Sequence, residues 1–219
     1  MQETSSNKPL IIGTIVVAAL VFAGLVWAIM SAPSGPTSGG SESVSFNDEG
    51  AKFKGKADSK VVVHVYSDFQ CPACRAYEPV LNYAIEKYGD RVKFVWKDFP
   101  LMSIHPNARN AANAAWCADD QGKFWEYHDL LYGEQGSWSA LPNPAESYRA
   151  YASRLGMNSD SFGACYDAKS FDSKVMAGVQ EGNANRVNGT PTVFVNDVRQ
   201  SGLDKAGWDS VLTAALATP

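Results

Sequence analysis

The sequence predicts an α/β domain with a block of helices inserted into it, preceded by one transmembrane helix. Three observations carry this. A β-branched run at Lys60 to Phe69 (KVVVHVYSDF), too short for a helix, leads directly into an amphipathic helical pattern. From Pro106 to about Val187 the chain changes to successive helical stretches broken by Gly, Pro and Asn. Ahead of both, Leu10 to Met30 (LIIGTIVVAALVFAGLVWAIM) contains no charge, and as a helix it is about 31 Å long, enough to cross a bilayer.

Each segment has its own justification. The short tail 1–9 carries Lys8, whereas the next basic residue after the apolar run is Lys52, so the N-terminus is expected in the cytoplasm and the remainder outside. A cleaved signal peptide is the alternative. Its apolar core is shorter than this run and ends in a small-x-small site, which the residues around Met30 and Ala32 supply poorly, so an uncleaved anchor over 10–30 is expected. Residues 31–43 (SAPSGPTSGGSES) cannot build a core and read as a flexible linker. The folded domain is expected over 44–219, with its helical insertion at about 105–187.

Within that domain Lys60 to Phe69 is a buried strand. The pattern of Tyr77, Val80, Leu81, Ala84, Ile85 and Tyr88 gives a helix from Arg75 that stops at Gly89. Arg91 to Asp98 (RVKFVWKD) alternates as a second strand and ends at Phe99-Pro100. Helices are expected in PNARNAANAAWCADD, GKFWEYHDLLYG, NPAESYRAYASRLG and FGACYDAKSFDSKVMAGVQEGNANRV. Thr192 to Val195 is a short strand, Asn196-Asp197 a turn, Val198 to Leu203 its hairpin partner, and Gly207 to Thr218 a closing helix.

Composition narrows the function. Apolar residues make up 45% and charged residues 19% of the 219, the balance of a folded protein. With 19 Lys+Arg against 23 Asp+Glu the net charge is -4, which argues against a nucleic-acid partner. No Gly-rich phosphate loop, HExxH or GxSxG pattern is present, so no cofactor is expected. The run Phe124, Trp125, Tyr127 and His128 reads as core packing.

Chemistry concentrates at Cys71-Pro72-Ala73-Cys74. Two thiols three apart at the start of a helix close a small ring, and the first sits where unpaired amides and the helix dipole stabilise an anion. Proline after the first cysteine suits the first helical turn, because no hydrogen-bond donor is lost there. Thiolate attack on a disulfide gives a mixed disulfide that the second thiol resolves. Cys71 is then the exposed nucleophile and Cys74 the buried resolving thiol. The same spacing also serves as half of a zinc site, but that needs a second pair, and Cys117, Cys165, His64, His105 and His128 are not spaced to supply one. Cys117 and Cys165 are either a disulfide or two buried thiols. In an oxidising compartment an even leftover pair favours the disulfide. Arg75, on the Cys71 face of the helix, either favours the thiolate or is simply solvated, and the solvated reading is preferred.

The segments SDFQCPAC (Ser67 to Cys74), KDFPL (Lys97 to Leu101), HPNAR (His105 to Arg109), QGKFWEYHDLLY (Gln121 to Tyr132) and VNGTPTVFVN (Val187 to Asn196) resemble the DsbA-like thiol-disulfide oxidoreductases, in order and over about residues 44–219. The resemblance implies a thioredoxin-like fold with an inserted helical subdomain. Thr190-Pro191 would then be a cis-proline loop that faces the CxxC, presents backbone groups to a substrate peptide and keeps metal off the dithiol. A proline at a strand start, at the one bond type commonly found cis, agrees with this independently. Implied partners are exported proteins with cysteine thiols as substrates and a membrane oxidase that regenerates the disulfide, with the protein itself a monomer. A thiol reductase or isomerase of the same fold, or a non-enzymatic metal-binding domain, are the alternatives. Only a span and a 13-residue tether precede the domain, so no isomerase-type dimerisation domain is expected and clients should be oxidised. One departure stands out: relatives often carry a buried acid six residues before the first cysteine, and here that position is Val65. His64 should point to the opposite face, Asp68 reads better as a capping carboxylate than as a base, and Asp68 and water are the candidates for the Cys74 proton.

Overall fold

The structure, a computed structural model, describes residues 44–218, so the expected tail, span and tether at 1–9, 10–30 and 31–43 lie outside the described residues. Among the described residues no helix is long and apolar enough to cross a membrane. The β-branched run forms the central strand of a five-stranded sheet. In chain order the strands are β1 (Phe53–Gly55), β2 (Val61–Ser67), β3 (Val92–Asp98), β4 (Thr192–Val195) and β5 (Val198–Gln200), arranged β1-β3-β2-β4-β5. Strands β2 and β3 run parallel, with Val65 beside Trp96 and Ser67 beside Asp98, while β4 lies antiparallel to β2. Both central strands therefore deliver their C-terminal ends to the same edge, where ligand chemistry collects in open α/β sheets.

Between β2 and β3 runs α1 (Pro72–Tyr88). The insertion follows as α2 (Ala108–Asp119), α3 (Phe124–Gly133), α4 (Gln135–Trp138), α5 (Ala145–Arg154), α6 (Ser159–Asp167) and α7 (Asp172–Ala184), and α8 (Lys205–Ala217) closes the chain. Period-two alternation in β2 sends Val61, Val63 and Val65 to one face, against Leu81 and Ala84 of α1 and Trp208 and Leu212 of α8. Side chains of this size contribute about 1.5–3 kcal/mol each when fully buried. Tyr66 goes to the other face with Phe99, Phe194 and Val179. His64 also lies there, as expected, stacked on Phe46 at 3.7 Å with Nε2 3.1 Å from Asp48 Oδ1.

Four results differ from expectation. β1 was not anticipated: three residues are too short for a periodic signal, and its Gly55 is required because φ is +91° and a Cβ would meet the Val92 carbonyl at 2.2 Å. The four-residue α4 was also unforeseen. The last predicted helical stretch is two helices, since Lys169 adopts φ 52° between α6 and α7. Finally, α7 belongs to the sheet as much as to the insertion: Tyr66 donates to Glu181 at 2.6 Å, and Gly178 and Gly182 let the helix approach the Asp98 carbonyl and the Phe99 ring.

Candidate active site

At the C-terminal edge of β2 the chain turns through Asp68-Phe69-Gln70 into Cys71, the N-cap of α1, with Pro72 in its first turn. No side chain caps this helix, so its first amides are left to an anion at Cys71. The turn is held tightly. Asp68, fully buried, accepts from the Gln70 amide (2.7 Å) and the Leu101 amide (2.9 Å) and pairs with His105 Nδ1 (2.7 Å). Three partners thus occupy the carboxylate in organising the loop, which agrees with a capping carboxylate.

The Thr190-Pro191 bond is cis, and β4, paired with β2, carries it to the CxxC. The Cys71 thiol donates to the Thr190 carbonyl at 3.4 Å. Cys71 is consequently 6% exposed and Cys74 1%. The expectation of an exposed Cys71 is corrected: the loop before the cis proline roofs it, and only the contrast between the two sulfurs remains as predicted. The Cys74 thiol, followed by Thr190 and the Ala73 and Cys74 amides, favours the Cys71 thiolate against the cost of burial and holds its pKa down to about 5. Burial first, and then the neighbouring Cys71 sulfur, push Cys74 far up, so it stays a thiol. Arg75 is exposed and is not among the groups that set the Cys71 thiolate, so it is solvated.

The insertion contributes side chains that local sequence did not single out. Gln135, at the start of α4, donates its Nε2 hydrogens to the Phe69 carbonyl (2.8 Å) and the Cys71 carbonyl (3.1 Å). Gln70 donates to Ser139 O and accepts from the Asn107 amide, both at 2.7 Å. The Tyr132 hydroxyl lies 2.8 Å from Ser67 Oγ, and Ser67 and Thr190 both lie against the Cys74 sulfur. Tyr132 and Ser67 do fall within the segments that carry the family resemblance. Gln135 had no signal beyond its place just past them.

Cys117 on α2 and Cys165 on α6 form a disulfide, with Cα atoms 5.8 Å apart. Cys71 and Cys74 are free thiols. Among the described residues no group of three His, Cys, Asp or Glu side chains is placed to hold a metal ion.

Comparison with known proteins places this architecture. The chain is 37% identical over 149 residues to a protein named Na(+)/H(+) antiporter NhaA 3 of Salinispora tropica, covering 68% of this chain and 22% of that protein. It is 34% identical over 163 residues to the NhaA 1 antiporter of Mycolicibacterium vanbaalenii, covering 72% and 24%. The chain thus spans less than a quarter of the length of these curated relatives. Among solved structures, BdbD of Bacillus subtilis superposes with a TM-score of 0.69 at 22% identity, over 80% of this chain and 97% of that one. The α-DsbA1 protein of Wolbachia pipientis gives 0.66 at 20% identity, over 76% and 90%. Mycobacterium tuberculosis DsbG in its reduced form gives 0.60 at 22%, over 78% and 87%. A family model described as thioredoxin matches residues 47–214, most of the chain; the chain belongs to the thioredoxin family.

Proposed function

We propose that this protein is an extracytoplasmic thiol-disulfide oxidoreductase that donates the Cys71-Cys74 disulfide to exported proteins. The observation that carries the reading is the asymmetry of the two sulfurs. One sits at a helix N-terminus where the Cys74 thiol and the first amides favour its thiolate, and the other is kept as a buried thiol. A client thiolate attacks Cys71 Sγ, Cys74 leaves, and a mixed disulfide forms between client and Cys71. A second client thiolate then attacks the client sulfur and releases Cys71 as its stabilised thiolate. The cis Thr190-Pro191 loop lines the approach and offers backbone groups to the client chain. Stabilising the reduced form in this way moves the couple toward oxidation of clients.

The location is part of the same proposal. The uncharged run 10–30 would anchor the protein with its N-terminus in the cytoplasm, and 31–43 would tether the domain near the bilayer. Relatives with a membrane-antiporter name carry a similar segment as about a fifth to a quarter of their length, which favours work beside a membrane. By resemblance, a membrane oxidase resets the disulfide. Equilibration with glutathione buffers, coupled to refolding of a reduced test protein, tests the reading. An oxidising potential with gain of native disulfides is expected; a thioredoxin-like potential with client reduction only would overturn it. Detergent-dependent extraction of a protein that retains its first residues tests the anchor.

A further inference from the structure

We propose that Arg199 is a positioning residue for the client: its guanidinium holds the cis-proline loop, Asn188 to Thr192, in the shape that presents free main-chain groups beside Cys71. The proposal rests on the oxidoreductase reading above and names what keeps its client-binding loop in place. Cross-strand register explains the reach. Arg199 on β5 stands opposite Phe194 of β4, and Thr192 lies two residues before Phe194 on the same face, so the long arginine side chain runs diagonally to it. Nη1 donates to the Arg186 carbonyl at 3.0 Å, while Nη2 donates to Asn188 Oδ1 at 3.2 Å and to Thr192 Oγ1 at 3.3 Å. One planar group thereby ties the chain on both sides of Thr190-Pro191, a fork that a lysine ammonium does not offer.

The Thr192 hydroxyl relays this hold. It accepts from Arg199 and donates its own hydrogen to the Gly189 carbonyl at 2.8 Å. The Thr190 carbonyl, next along the chain, receives the Cys71 thiol at 3.4 Å. Side chains therefore do the work that main-chain pairing does elsewhere: among the described residues, the main-chain to main-chain bonds of turns and loops include none from residues 188–191. The Gly189 and Thr190 amides are left for a partner, and an extended client chain beside Cys71 supplies the carbonyls they lack. An exposed arginine on an edge strand adds little to stability through its charge. Its effect falls on the loop. Without it Asn188 and Thr192 lose their shared donor, and the client must order the loop as it binds. That cost enters binding and leaves the exchange at sulfur as it was, so it raises KM and does not lower kcat.

The test follows oxidation of a reduced cysteine-containing peptide by the full chain in its disulfide form and, in parallel, of dithiothreitol, a dithiol with no main chain. Arg199→Met should raise KM for the peptide about fivefold to tenfold with kcat little changed. Its effect on dithiothreitol oxidation should be far smaller. Arg199→Lys keeps the charge but reaches fewer acceptors at once, and should restore part of the loss. Asn188→Ala removes one acceptor from an exposed side chain and should move KM in the same direction by less. It supplies the reading if Arg199→Met does not fold, a case that urea denaturation identifies. An unchanged peptide KM in Arg199→Met, or in Asn188→Ala where the arginine variant is unfolded, would overturn the proposal. So would a fall in kcat alone, or an equal loss toward peptide and dithiothreitol. If the wild type oxidises neither substrate, the oxidoreductase reading itself fails, and that outcome is distinct from the others.

Discussion

The Cys74 thiol, the largest influence on Cys71, and the local amides are close in sequence, which is why the site was legible, whereas Thr190 reaches it from 119 positions away. A CxxC with proline after the first thiol already specifies a helix N-terminus, and the amides of Ala73 and Cys74 do favour the thiolate there. Thiolate absorbance of the reduced protein should titrate with a midpoint near 5, and brief alkylation at neutral pH should label Cys71 before Cys74. A midpoint above about 8 would remove the electrostatic basis of the proposed function. Gln135 was not legible, because it reaches the Cys71 carbonyl from 64 positions away and only the tertiary fold brings the two together. Its replacement by Leu leaves the Phe69 carbonyl without its side-chain donor in a buried turn. Stability should fall by about 1–3 kcal/mol, and the Cys71 midpoint should rise as the turn loosens. Urea denaturation and the same absorbance titration check both effects.

Helix ends show where local chemistry stops being readable. Four helices close with paired bonds from two consecutive residues a little past the helix back into its last turn, as at Gly122 N to Asp119 O and Lys123 N to Ala118 O. Two of these use glycine in the left-handed region, Gly122 and Gly156, and those boundaries were anticipated from sequence. The other two place Lys169 and Arg186 there, with φ of 52° and 58°, and no residue type announces them. The division between α6 and α7 was missed for this reason. Lys169→Gly should relieve the left-handed penalty and stabilise the protein by about 0.5–1 kcal/mol; a loss of stability in urea would contradict the assignment. The Cys117-Cys165 disulfide ties α2 to α6 across 48 positions, and its presence follows the even-pair reasoning. Replacing both cysteines with Ala should cost about 2–4 kcal/mol by the chain-entropy argument, read as a lower denaturant midpoint. The pair should also survive conditions that reduce Cys71-Cys74.

For the molecule as a whole, redox chemistry and folding stability are one thermodynamic cycle. The dithiol form contains a Cys71 thiolate that the fold stabilises, and the disulfide form contains no such charge. The folded pKa of about 5 lies below the unfolded thiol's usual value of about 8.5–9, so the group contributes stability that is fully present above the unfolded value. This contribution declines as pH falls through that window and is gone below the folded pKa. The dithiol form should therefore unfold at higher guanidinium concentration than the disulfide form at pH 8. The difference should shrink by about 1.4 kcal/mol per pH unit down to about pH 5 and then flatten. Other carboxylates, such as Asp48 held low by His64 and Lys97, affect both forms alike and cancel in the difference. Paired denaturation curves of the two forms across this range decide the matter. A difference that does not change with pH, or a disulfide form that is the more stable at pH 8, would mean that the fold does not drive the Cys71-Cys74 couple toward oxidation.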